Sequence, residues 1–200
     1  MSKRYYRSFL LIFGFLFFIT EGSFAQSTTL SKGSTAPMFT AKASQSGNEF
    51  EFSLKKALAK GPVVVYFYPS AYTGGCDLEA HTFAEYKDSF TTAGATIIGV
   101  SEDDIQRLNS FSSSPEYCAG KFPVASDPEG KIAANFGLNV KPPQAGAKDV
   151  RGEQITHGFI PRTTFVIDKN QKIVAVFSSE TDHIKPDEHV KKSLAIVRTL

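Results

Sequence analysis

Only two cysteines stand in this chain of 200 residues, Cys76 and Cys118, and they lie 42 positions apart. No C-x-x-C pair is present, so the dithiol motif of general thiol-disulfide oxidoreductases is missing; the residue three before Cys76 is Thr73. Tryptophan is absent altogether. The four histidines, His81, His157, His183 and His189, lack the spacing of a metal site, and His183 and His189, beside Asp182 and Asp187, read as a solvated surface. No metal is expected. A Cys-His hydrolase is poorly supported too, because His81 stands five residues along a helix from Cys76 and faces another side. Nor is there a Lys/Arg cluster interleaved with aromatics, which excludes the usual nucleic-acid footprint.

The apolar run 9–19 has eleven residues, too few to span a bilayer, which argues against a membrane anchor. It follows Lys3, Arg4 and Arg7 and precedes Ser23-Phe24-Ala25, so residues 1–25 read as a secretory signal peptide cleaved before Gln26. This leader carries three basic residues and one acidic one, Glu21, so the chain's formal charge of +2 falls to zero on cleavage. The basic balance is an address; a neutral mature surface offers no steering of acidic partners. An exported, periplasmic protein without stable membrane association is expected, with residues 26–35 a flexible lead-in and 36–200 a single domain.

What is present centres on residues 69–76, PSAYTGGC, directly after the apolar run 63–68. A strand ends there and an amphipathic helix begins, since apolar residues from Cys76 on recur at steps of three and four. A thiol in the first helical turn meets unpaired N–H groups and the positive end of the helix dipole, which makes Cys76 a candidate nucleophile of depressed pKa. Pro69 fixes the chain's exit from the strand, Thr73 supplies a hydroxyl, and Gly74 and Gly75 let backbone approach a small ligand. Asp77 is expected to point outward as a helix-start residue that softens the activation without cancelling it.

The P-x-x-x-T-x-x-C pattern, with segments 61–69, 94–101, 122–127 and 161–168 in order, resembles the peroxiredoxin family, most closely its bacterioferritin comigratory protein branch. The resemblance implies a thioredoxin-like fold and a thiol peroxidase without cofactor, acting on hydrogen peroxide or organic hydroperoxides and reset by a thioredoxin-like or other dithiol reductant. It implies a peroxidatic role for Cys76, polar support from Thr73, and stabilisation of thiolate and peroxide by Arg162, with Glu79 at an acidic position the family often carries. Asp77 departs from the threonine or serine common after the cysteine. His81 stands where some relatives place a resolving cysteine.

Cys118 is then either the resolving partner of Cys76 or half of a permanent staple, both open in an oxidising compartment. It lies in a Ser/Pro/Gly-punctuated stretch, 112–121, suited to movement, and a static bridge would block the one nucleophile the motif builds; the resolving role is favoured. A general thiol-disulfide oxidoreductase and a non-enzymatic thioredoxin-like binding domain with a structural disulfide are the alternatives. Monomer and homodimer are equally open.

Alternating patterns predict an α/β domain: a central mixed sheet flanked by helices, with an N-terminal β-hairpin extension. The hairpin covers 37–52, turning at 45–48. A short helix follows to Lys60, then strand 63–68, helix 76–92, strand 96–101, helix 104–111, strand 122–125, helix 130–136, strands 163–167 and 173–177, and helix 186–197. The polar loop 141–157 reads as an insertion at the rim of the active site.

Overall fold

The computed structural model of the protein describes Met1 and residues 29–200; residues 2–28, on which the expected signal peptide falls, lie outside the described residues. In chain order the elements are β1 Thr40–Gln45, β2 Asn48–Ser53, α1 Leu54–Leu58, β3 Val63–Phe67, α2 Gly74–Glu85, α3 Lys87–Thr92, β4 Thr96–Ser101, α4 Ile105–Ser113, β5 Val124–Ser126, α5 Lys131–Asn135, β6 Thr163–Ile167, β7 Ile173–Ser178 and α6 Pro186–Val197. The strands form one sheet in the order β2-β1-β5-β4-β3-β6-β7. β3, β4 and β5 run parallel, while β1 with β5, β3 with β6, and the two hairpins are antiparallel.

β3 is buried at every residue because it lies mid-sheet with helices on both faces. Its alternate side chains feed two cores. Val64, Tyr66 and Tyr68 pack with Cys76 and Phe83, with Phe111 and Cys118, and with Val190 and Leu194 of α6. Val63, Val65 and Phe67 pack on the other face against α1, α5 and Phe136. The β1–β2 turn pairs Gln45 with Asn48, and Ser46 and Gly47 both take positive φ, as a two-residue type I′ hairpin requires.

Four expectations are corrected. The helix foreseen over 76–92 starts at Gly74 and breaks at Tyr86 into α2 and α3. The strand expected over 122–125 begins at Val124, with Phe122 buried in the core ahead of it. From Thr29 the lead-in is not free: Leu30 N–H donates to Phe136 O, Gly33 N–H to Ile173 O and Ala36 N–H to Gln171 O, which tie it to α5 and the β6–β7 hairpin. His189 is no solvated surface residue; it is fully buried on the inner face of α6, its charged neighbours lying on the outer one, whereas His183 is exposed.

Candidate active site

The loop from β3 to α2 builds the site from short-range bonds. Thr73 holds extended φ and ψ at the N-cap, its hydroxyl donating to Ser70 O at 2.8 Å, and Cys76 N–H closes the first turn on Thr73 O at 2.8 Å. Cys76 therefore occupies the first turn of α2, and its side chain points inward, leaving the residue 2% exposed. Pro69 is half-buried at the exit of β3.

Arg162, immediately before β6, reaches across to this turn. Its Nη2 donates to Cys76 Sγ at 3.1 Å, and its Nη1 is paired with Glu79 Oε2. Gly75 makes room: a Cβ there would lie 3.1 Å from Arg162 Nη2 and 3.5 Å from Pro186 Cγ. Glu79 is fully buried, and burial pushes its carboxyl up to about 7 against the pull of Arg162. Its second oxygen has no hydrogen-bond partner and lies 4.0 Å from His189 Nδ1. His189 is bonded instead to Thr164 Oγ1 and Ser179 Oγ, each at 2.9 Å, and burial, with Arg162 nearby, pushes it down to about 4. A neutral imidazole thus backs the Arg162–Glu79 pair at neutral pH.

The expected depression of the Cys76 pKa is not met. Burial pushes the thiol up, while Arg162, the Thr73 hydroxyl and the Ser70 amide pull it the other way. Among the groups that oppose burial, the Arg162 guanidinium is the main support of the thiolate. Asp77 departs from its expectation too: it is half-buried, and its Oδ1 is shut off from solvent without a partner.

A second set of residues, invisible in the motif, holds the loop in place. Asp103, fully buried after β4, accepts from Ser70 Oγ at 3.0 Å and from Ala71 N–H at 2.8 Å, and it meets His157 Nε2 at 2.9 Å and Arg107 Nε at 2.8 Å. Arg107 also donates to Ala71 O at 2.9 Å. Tyr72 sits at φ 59, a left-handed conformation unfavourable for a bulky residue, and it is pinned there. Val150 N–H donates to its carbonyl at 2.9 Å, and the Arg151 guanidinium lies 3.4 Å from its ring centroid. The 141–157 insertion thus reaches the loop that carries Thr73 and Cys76. In sequence, the spacing of Ser101 and Asp103 at the end of β4 was the one local hint of this clamp.

Cys118 is a free thiol, as is Cys76, and both belong to one core cluster. It is fully buried, and burial drives its pKa well up. Its segment is a chain of tight turns after α4: Ala119 N–H returns to Ser114 O, Gly120 N–H to Ser112 O, and Ala119 and Gly120 both take positive φ. Tyr117 anchors it against Phe111 and Tyr72, at ring-centroid distances of 4.9 and 5.2 Å. A cleft of about 550 Å³ near the hairpin, rimmed by Lys56, Lys60, Lys87 and Lys121, includes none of these residues.

Comparison with known proteins bears on the family and the fold. Residues 32–176 match the AhpC/TSA family. Peroxiredoxin Q of Oryza sativa subsp. japonica, a chloroplastic protein, is 31% identical over 172 residues, covering 86% of this chain and 68% of its own. The crystal structure of peroxidoxin BcpB from Mycobacterium tuberculosis superposes with a TM-score of 0.69 at 31% identity, over 86% of this chain and 98% of that one. The bacterioferritin comigratory protein of Xanthomonas campestris, studied for its alkyl peroxide reduction activity, gives 0.62 at 25% identity, over 80% and 90%. The chain belongs to the AhpC/TSA family, and its fold is thioredoxin-like. Within that family it is a peroxiredoxin, a thiol peroxidase.

Proposed function

We propose that Cys76 is the peroxidatic thiol, with Arg162 and Thr73 as its polar supports and Cys118 as the resolving cysteine. The observation that carries this reading is the 3.1 Å contact of Arg162 Nη2 with Cys76 Sγ in the first turn of α2. The thiolate attacks one peroxide oxygen, the O–O bond breaks, and the departing oxygen leaves as water or alcohol. Arg162, Thr73 and the amides of the first turn offset charge growing on the breaking bond. Because Cys76 is nearly closed off, a peroxide reaches it through motion on the exposed Gly74–Gly75 side.

The sulfenic acid left on Cys76 is then attacked by Cys118, closing a disulfide and releasing water. Both thiols are buried and free before the reaction, so closure requires the first turn of α2 and the turns around Cys118 to loosen. Substrates are hydrogen peroxide and small organic hydroperoxides, the latter supported by the activity studied in the Xanthomonas relative. An external dithiol resets the enzyme. The basic, apolar and small-residue order of residues 1–25 supports export and a periplasmic site of action.

Peroxide consumption coupled to a dithiol tests the reading: Cys76→Ser is expected to abolish it, and turnover by that variant near the wild-type rate would refute it. Mass analysis of protein from the periplasmic fraction should find Gln26 as the first residue.

A further inference from the structure

Asp77 directly follows the motif cysteine and has no task in the peroxidatic step. Positions 77, 81 and 84 lie along one face of α2, at helical steps of four and three. That face is covered by the segment that carries Cys118. His81 Nδ1 lies 3.1 Å from Glu116 O, and Lys121 Nζ donates to Ala84 O at 3.1 Å, so the segment runs beside the helix on both sides of Cys118. Asp77 heads the row, one turn before His81, and its Oδ1 is buried without a partner. Arg162, by contrast, lies on the Cys76 and Glu79 face and is already engaged by both.

Cys118 needs a proton acceptor. A fully buried thiol on which, among the described residues, no cation acts is a poor nucleophile until its proton leaves, and burial holds its pKa well up. Asp77 is bonded in sequence to Cys76, so it stays beside the reacting sulfur even when the first turn unwinds.

We propose that the Asp77 carboxylate is the general base of the resolving half-reaction, a role that rests on the reading of Cys118 as the resolving cysteine. Asp77 accepts the Cys118 thiol proton while the Cys118 sulfur attacks the sulfenic sulfur of Cys76. The S–S bond forms, the S–O bond breaks, and the proton passes from Asp77 to the departing hydroxide to give one water. The sulfenic sulfur is reduced and the Cys118 sulfur oxidised by the same electron pair, so no further oxidant is needed.

The groups facing Asp77 are Tyr117 and Cys118 from the covering segment, Asp149 from the insertion, Arg107 from α4 and the Tyr72 and Thr73 amides; His81 follows one turn on along its own helix, against Glu116 O. Burial foremost pushes its carboxyl up to about 6, with the two amides and Arg107 pulling down and Asp149 pushing up. A base must be deprotonated to act, so disulfide closure should quicken as pH rises through about 6 and then level off.

The test is stopped-flow mixing of the reduced full mature protein with one equivalent of hydrogen peroxide at pH 5 to 8. Sulfenate is trapped by dimedone and thiols by alkylation, so that sulfenate formation and disulfide closure are timed separately. Asp77→Asn should slow closure relative to sulfenate formation by about 10² and abolish the rise through pH 6, and Asp77→Thr should behave alike. Asp77→Glu should restore the rise. Closure by the Asn and Thr variants at the wild-type rate, with the wild-type pH profile, would overturn the role of Asp77. Cys118→Ser separates the two claims: persistence of its sulfenate upholds the resolving reading whatever Asp77 does. Normal recycling of Cys118→Ser would remove that reading and, with it, the task assigned to Asp77.

Discussion

Arg162 donates to Cys76 Sγ at 3.1 Å although 86 positions separate the two residues. The contact depends on the sheet: β6 pairs antiparallel to β3, which sets the residue before β6 next to the exit of β3. Burial pushes the Cys76 thiol up and Arg162 is the largest influence opposing it. Of the groups that favour the thiolate against burial, this one side chain therefore does most.

Arg162→Ala should raise the Cys76 pKa further and slow the peroxide step by about 10², the usual scale for losing one preorganised donor. Arg162→Lys should recover only part, since an ammonium lacks the planar fork that serves Cys76 and Glu79 together. Thiol titration and rapid-mixing kinetics measure both effects. An unchanged pKa and rate in the alanine variant would remove Arg162 from the chemistry.

Glu79→Ala should destabilise the fold by about 3–5 kcal/mol, because it strands the Arg162 guanidinium without its buried carboxylate. Denaturant unfolding of the reduced protein measures this. Glu79→Gln keeps the volume and one acceptor and should lose less.

The Asp103–His157 pair should make stability bell-shaped in pH. Burial works against the charge of Asp103, yet His157 and the bonds from Ala71 and Ser101 hold its pKa below the usual carboxylate value; that stability is present above about 4 and is lost as pH falls through the depressed value. Burial also works against the His157 charge, yet Asp103 holds its pKa up, so its share is full below about 6.5 and is lost as pH rises through the raised value. Thermal unfolding across pH should show His157→Asn losing the decline on the alkaline side and keeping only a weakened acid limb, the part that the Ala71 and Ser101 bonds supply.

The motif residues were legible because their work is local. Thr73, Gly75 and Cys76 act within one turn, and a strand-to-helix junction with an apolar stripe placed them in advance. Arg162 and Glu79 were placed by resemblance alone, since nothing in their own neighbourhoods marks them. Asp103, Arg107 and His157 went unseen because the contacts that join them to the 70–71 loop and to each other mostly span 32 to 54 positions, the Asp103–Arg107 pair four apart being the exception, and in sequence each reads as an ordinary polar residue. His189 was misread for a related reason: Asp187, Glu188, Lys191 and Lys192 surround it in sequence, but on a helix they leave the inner face free for it. The break at Tyr86 has no signal in sequence, for neither glycine nor proline stands there.

A free-thiol count of the reduced protein before and after one equivalent of hydrogen peroxide, in the wild type and in each Cys→Ser variant, tests the two cysteine roles most directly. The wild type should lose both thiols to one intramolecular disulfide, Cys118→Ser should lose one and hold a trappable sulfenic acid on Cys76, and Cys76→Ser should keep its thiol. Rapid loss of the Cys118 thiol in Cys76→Ser, or a wild type that loses only one, would contradict those roles.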